Sequence, residues 1–269
     1  MVTLSALADE ISADLTEQMD VLEREGIKHI ELRGVWGKEV LDLGNAELDE
    51  IAFAFDERDF GVSAIASPIG KVPIAEDFDE HLKGLRRALE LAGFFGTEYV
   101  RMFSFQIPEG DTPRQHRDEV MRRLDVMAGL AEEEGIVLLC ENQQGLYGDT
   151  GARCRDIVET VDSPMLRLLF DFANFVQAGQ KPYEDCFALL KDRIEYVHVK
   201  DALLSTGEIT PVGEGDADAK RILSELILED EFEGFLSIEP RLEMEAVEGF
   251  RIAAKALKKL LEEIGVEYA

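Results

Sequence analysis

Eight short apolar runs recur along the chain, at residues 2–8, 29–34, 62–68, 99–105, 136–142, 166–172, 196–201 and 235–240. Each is bounded by turn residues and is long enough for a strand but too short for a helix. The stretches between them have a helical period. In residues 113–131, Val120, Leu124, Met127 and Ala131 recur at steps of three or four, and Thr112-Pro113 supplies an N-cap followed by proline at the first helical position. The last stretch repeats the pattern with Phe250, Ala253, Leu257, Leu261 and Ile264. No Pro/Gly/Ser-rich linker interrupts the alternation. Strand and helix alternating eight times predict an α/β chain closed into a single (β/α)8 barrel, with residues 1–269 as one domain. An open doubly wound sheet uses the same alternation, but no GxGxxG follows the first run and eight units close a barrel more naturally than six.

Four of the junctions, Gly26-Ile27, Gly61-Val62, Gly135-Ile136 and Gly234-Phe235, put a glycine before the next strand, where a helix-to-strand turn calls for a left-handed backbone. The longest irregular pieces, around residues 68–76, 104–112, 143–151 and 202–216, all follow strands, so the long loops gather at the C-terminal face. That is where enzymes of this architecture keep their chemistry.

Four of the runs end in a side chain able to bind a metal: Glu141 in VLLCEN, Asp171 in LRLLFDF, His198 in YVHVKD and Glu239 in FLSIEP. Steps of 30, 27 and 41 residues separate them, each suited to one strand and one returning helix, so parallel packing brings all four tips to one edge. Three carboxylates and one imidazole suit a divalent cation, Mn²⁺ first, with Mg²⁺, Co²⁺ and Zn²⁺ acceptable. Three negative charges against two positive leave the set slightly anionic, which favours a neutral polyol without a cationic clamp.

Composition narrows the partners. A chain with 28 basic and 57 acidic residues carries a net charge of −29, which repels nucleic acid and anionic membranes and leaves a small molecule as the expected ligand. Homo-oligomerisation stays open. Cys140, Cys154 and Cys186 are odd in number and lack ligand spacing, so they read as reduced thiols. With no basic leader and no apolar stretch of about 18 residues, a cytoplasmic location is expected.

Several segments together resemble the xylose-isomerase-like TIM barrels, which include sugar-phosphate isomerases and epimerases, ketose 3-epimerases and inosose dehydratase. They are ADEIS (8–12), IELRGVWGK (30–38), SPIGK (67–71), ENQQGLYGDTG (141–151), FDFANF (170–175), HVKDAL (198–203), VGEGD (212–216) and SIEP (237–240). The resemblance implies that Glu141, Asp171, His198 and Glu239 hold one cation, with Glu141 and Glu239 doubling as proton-transfer groups on opposite faces of the substrate. The implied reaction is isomerisation or epimerisation of a sugar, sugar phosphate or related polyol through a metal-stabilised enediolate. A dehydratase of a keto-polyol such as an inosose uses the same first step, and a noncatalytic metal-containing sugar-binding barrel is the rival outside catalysis. The endonuclease branch of the barrel needs a histidine-rich multinuclear site and a basic surface, which this chain lacks. The epimerase branch often has His three residues after the metal-binding Asp; here it is Asn174.

Further polar residues near strand tips are candidate substrate contacts: Lys71, Lys200, Asn142, Asn174, Arg241, Glu10 and Arg101, with Arg33 in the same mouth network. Lys71 and Lys200 suit either a substrate oxygen or a carboxylate partner, and Trp36 and Phe105 either wall the pocket or pack. PVGEGDAD is glycine-rich but does not match GxxxxGK[ST], so it reads as a turn shaping the entrance. His29, His81 and His116 read as surface or core-edge residues.

Overall fold

The computed structural model describes residues 1–269. Eight parallel strands form the wall: β1 (Thr3–Ala6), β2 (His29–Leu32), β3 (Gly61–Ala66), β4 (Tyr99–Met102), β5 (Val137–Glu141), β6 (Leu166–Asp171), β7 (Ile194–Val199) and β8 (Phe235–Ile238). Each pairs with its neighbours in sequence, and β8 pairs back onto β1, closing the barrel. Around it run α1 (Leu15–Arg24), α2 (Asn45–Arg58), α3 (Phe78–Phe95), α4 (Pro113–Glu134), α5 (Gly151–Val161), α6 (Phe172–Gln177), α7 (Ala188–Leu190), α8 (Ala219–Ser224) and α9 (Ala246–Ile264). No helix is long and apolar enough to cross a membrane.

The strands are shorter at their C-terminal ends than their apolar runs, because residues such as Phe103 and Phe105 leave the ladder to line the mouth loops. Helix α4 begins at the expected cap, where the Gln115 side chain accepts from the Thr112 N–H at 2.7 Å, but it runs to Glu134 and stops only at left-handed Gly135 (φ 69°). The junction glycines divide into two kinds. Gly26 and Gly135 adopt the left-handed backbone, whereas Gly61 and Gly234 do not. A side chain at Gly61 would meet the His29 ring and one at Gly234 the Phe232 ring, so these two serve close packing, and left-handed Asp59 and Glu231 make the turns upstream.

Register positions the polar tips. Asp171 pairs with His198, and His198 with Ser237, so three inward-facing side chains stand in a row across β6, β7 and β8. A register shift between Ile30 and Glu31 on β2 pairs Glu31 with Ala64 and leaves Ser63 as the extra residue of β3. A bulge of this kind re-aims side chains. Here it lets Ser63 hydrogen-bond across the lumen to Ser5 and Tyr196. Helix α9 shows the opposite face of the wall: Phe250, Ala254, Leu257 and Leu261 have no solvent exposure.

Candidate metal centre and active site

At the C-terminal mouth, one donor atom from each of Glu141, Asp171, His198 and Glu239 lies within 4.8 Å of all the others, and all four residues are buried. Glu141 and Asp171 end β5 and β6, His198 lies one residue before the end of β7, and Glu239 follows β8 directly. His198 Nδ1 is 3.5 Å from Glu141 Oε1, 3.6 Å from Asp171 Oδ2 and 3.4 Å from Glu239 Oε2. Ligands about 2.1 Å from one small cation in a tetrahedral array stand about 3.4 Å apart. His198 Nδ1 is buried without an aligned hydrogen bond, whereas Asp171 Oδ2 has the Lys200 ammonium 2.7 Å away. Leaving the ring nitrogen unmatched costs about 1–3 kcal/mol, a cost that coordination removes. The donor set and this orphaned nitrogen fit a divalent metal site.

Second partners fix the donors. Glu31 Oε2 is 2.8 Å from His198 Nε2 and accepts from Ser237 Oγ at 2.6 Å, which turns Nδ1 toward the cluster. A carboxylate behind a metal-binding histidine sets the ring's tautomer and raises its basicity. Asn174 Nδ2 donates to Glu141 Oε1 at 2.9 Å and to the Asn142 carbonyl at 2.9 Å. Asp171 Oδ1 caps α6 by accepting from the Asn174 N–H, leaving Oδ2 for the centre. Both ends of the Asn142 amide are engaged by the Asp171 backbone, so the structure gives Asn142 the task of tying β5 to β6.

The expectation of a site without a cationic clamp is corrected here, because sequence spacing did not reveal four cations bonded to its acids. Arg101 Nη1 donates to Glu141 Oε2 at 3.1 Å. The Lys200 ammonium contacts Glu239 and lies 2.7 Å from Asp171 Oδ2. Arg241 Nε donates to Glu239 Oε1 at 2.7 Å and lies 3.1 Å from Glu10. Arg33 joins Asp9, Glu10 and Glu239 at 2.7, 3.0 and 3.7 Å. These charges set the protonation states. Burial pushes the Glu141 carboxyl up, but His198 and Arg101 outweigh it and hold it down to about 2. Burial opposes the charge on Glu239 as well, yet Lys200, His198 and Arg241 keep its pKa well below the usual range. Burial would lower Lys200, but Asp171 and Glu239 hold it protonated. Burial likewise opposes a charged His198, whereas Glu31 and Glu141 raise it well above normal, so a proton competes for the position that a metal would take.

The other candidates disperse. Lys71 makes no ion pair and lies 4.9 Å from the Phe103 ring centroid. Phe105 is fully buried against His81, and Trp36 packs on the shell; both have positive φ (67° and 56°), as does Arg241 (40°). Bulky residues held left-handed are strained, and these three all stand in mouth loops. The glycine-rich PVGEGDAD does cradle an anion, but it is the chain's own: the Asp201 carboxylate accepts from the N–H groups of Ala202, Gly213 and Ala217 at 2.8–3.1 Å. Sequence reasoning missed both Asp201 and Glu31. For Glu31 the available signal was an acid flanked by Ile30 and Leu32 in the middle of an apolar run.

Three comparisons bear on this site. The family model described as xylose isomerase-like TIM barrel matches residues 19–262. The 3-dehydroshikimate dehydratase of Bacillus anthracis is 25% identical over 130 residues, 48% of this chain and 46% of that one, so the chain spans about half the length of that relative. The 2-epi-5-epi-valiolone 7-phosphate 2-epimerase of Actinoplanes sp. is 37% identical over 97 residues, 36% of this chain and 34% of its own. The solved structure of the IOLI protein with a binding zinc atom superposes with a TM-score of 0.79 at 18% identity, over 98% of this chain and 99% of that one, a likeness of fold.

Proposed function

The chain belongs to the xylose isomerase-like TIM barrel family, and from that premise we propose that it is a metal-dependent isomerase or epimerase of a sugar, sugar phosphate or related polyol. The observation that carries this reading is the pair Glu141 and Glu239. Both are ionised, both face His198 Nδ1, and they enter the cluster from strands three places apart around the barrel. A divalent cation held by Glu141, Asp171, His198 and Glu239, with Mn²⁺ the first candidate for so oxygen-rich a set and Mg²⁺, Co²⁺ or Zn²⁺ acceptable, would supply polarisation of a substrate carbonyl and acidity at the adjacent carbon. Either carboxylate then accepts that proton. Arg101 and Asn174 hold Glu141 in place, and Arg241 and Lys200 hold Glu239. If one carboxylate removes the proton and the other returns it, the carbon inverts; if one serves two neighbouring carbons, the carbonyl moves.

Dehydration is the second reading, and Lys200 favours it. The Lys200 ammonium, between Asp171 and Glu239, is a fixed positive charge able to hydrogen-bond and stabilise the oxygen of a departing β-hydroxyl. The dehydratase among the relatives supports keeping this branch.

Incubation of the Mn²⁺-loaded protein with keto- and aldo-sugars and polyols in D₂O, read by NMR, tests both. Glu141→Gln and Glu239→Gln are each expected to fold and to lose deuterium incorporation by about 10²–10⁴-fold. Full exchange in both variants would refute the assignment. A product lighter by one water decides for the lyase. His198→Ala is expected to lower bound metal in elemental analysis, and unchanged stoichiometry would remove it from the ligand set.

A further inference from the structure

Arg33, Arg101, Lys200 and Arg241 each bond a carboxylate at the mouth, but Lys71 bonds none. It stands on a cavity of roughly 120 Å³ lined by Arg33, Arg101, Phe103, Arg241 and, as the one acidic residue, Glu39. Arg101, only 5% exposed, lines the same cavity, and its Nε has no hydrogen-bond partner. A buried donor on a guanidinium is costly to leave unmatched, and a charged acceptor satisfies it best.

The turn that presents Lys71 is built rigidly. Gly70 has φ 80°, and any side chain on it would run into the Phe103 carbonyl. The Lys71 N–H donates to the Pro68 carbonyl at 2.9 Å, the Gly70 N–H to His81 Nε2 at 2.9 Å, and the Phe105 N–H to the Gly70 carbonyl at 2.8 Å. The loop therefore positions one uncompensated ammonium over the cavity in a chain whose net charge is −29. Partial burial lowers the pKa of that ammonium, while Glu141 and Glu239 pull it up and Arg101 and Arg241 push it down from a distance.

We propose that this cavity receives an anionic group of the substrate, a carboxylate or a phosphate, with Lys71 supplying the charge and Arg101 the buried donor. The proposal rests on the reading of the adjacent cluster as the active site and replaces the neutral polyol with an anionic one. Because Arg101 also bonds Glu141, the anionic end lies on the β3–β4 side, next to that carboxylate, and the reacting carbon is directed toward the metal donors.

Calorimetric titration of the Mg²⁺-loaded protein with inorganic phosphate, D-gluconate and the neutral D-glucitol tests this without turnover. At least one anion is expected to bind about tenfold or more tighter than glucitol. Lys71→Met, an exposed position, is expected to weaken that anion about tenfold while leaving glucitol unchanged, and Lys71→Arg to stay within about threefold of the parent. Preference for phosphate points to a sugar phosphate and preference for gluconate to a carboxylated polyol. The proposal is overturned if neither anion outbinds glucitol, or if Lys71→Met binds the anion as well as the parent does. The deuterium-exchange result stands or falls separately, since anion titration needs no proton transfer and exchange can persist without an anion subsite.

Discussion

The eight strands carry two unlike interiors on their two faces. Outside the wall, side chains and helices merge into an apolar cluster of 72 buried residues. Inside it, the buried apolar cluster numbers four, Ala64, Leu139, Leu169 and Tyr196, with Tyr99, Val137 and Phe235 packed against it, and toward the mouth the lumen turns polar. A chain of hydrogen bonds runs up the lumen, from Ser5 to Ser63 (2.6 Å), Ser63 to the Tyr196 hydroxyl (2.8 Å), Tyr196 to Glu31 (3.4 Å) and Glu31 to His198 (2.8 Å). The shell draws its stability from area, so no single contact is indispensable in kind. In the lumen each residue of this chain is tied to the next by a specific hydrogen bond, and the last one, His198, turns its free Nδ1 to the candidate metal donors. Stability and chemistry are thus separated by one residue along the same strand.

The largest effect should come from the shell. Phe250→Ala, at a position with no exposure, is expected to cost about 3–5 kcal/mol in urea unfolding, with metal affinity of the folded protein unchanged. A parallel fall in metal affinity would show that the two interiors are not independent. Glu31→Gln tests the lumen, and a chelator competition is expected to show metal binding weakened about 10–100-fold with a much smaller change in stability. If affinity holds, the polar chain is structural alone. The smallest effect lies where the interiors meet, at His81, whose neutral ring on α3 accepts the Gly70 N–H of the mouth loop. Burial, helped by Arg123, lowers its pKa from the usual 6.5, so the fold favours the neutral ring. Its stabilisation is complete above 6.5 and is lost as pH falls through the lower folded value. Melting curves recorded across that window should show the parent losing more stability than His81→Gln, and equal losses would remove the hydrogen bond as a pH-sensitive tie.

The barrel was legible in the chain because strand and helix periods depend on neighbours in sequence. The convergence of Glu141, Asp171, His198 and Glu239 on one point was legible for the same reason, each being the polar end of an apolar run. Contacts between distant loops leave no local pattern. Glu31 meets His198 across 167 positions, and Arg241 meets Glu10 across 231. The four cations that temper the cluster were therefore invisible as partners, which is how a bare count of three carboxylates suggested a neutral substrate. Glycine is ambiguous in another way, since sequence alone does not separate the turn at Gly135 from the close approach at Gly61.

The ammonium of Lys200, lodged between Asp171 and Glu239, has a consequence for how such a molecule matures. A positive charge wired into the polypeptide calms mutual repulsion among the acids from the moment the last strand docks. Small zinc modules stay unfolded until their ion arrives, whereas here part of the repulsion that would oppose closing the barrel is met by the chain's own side chain.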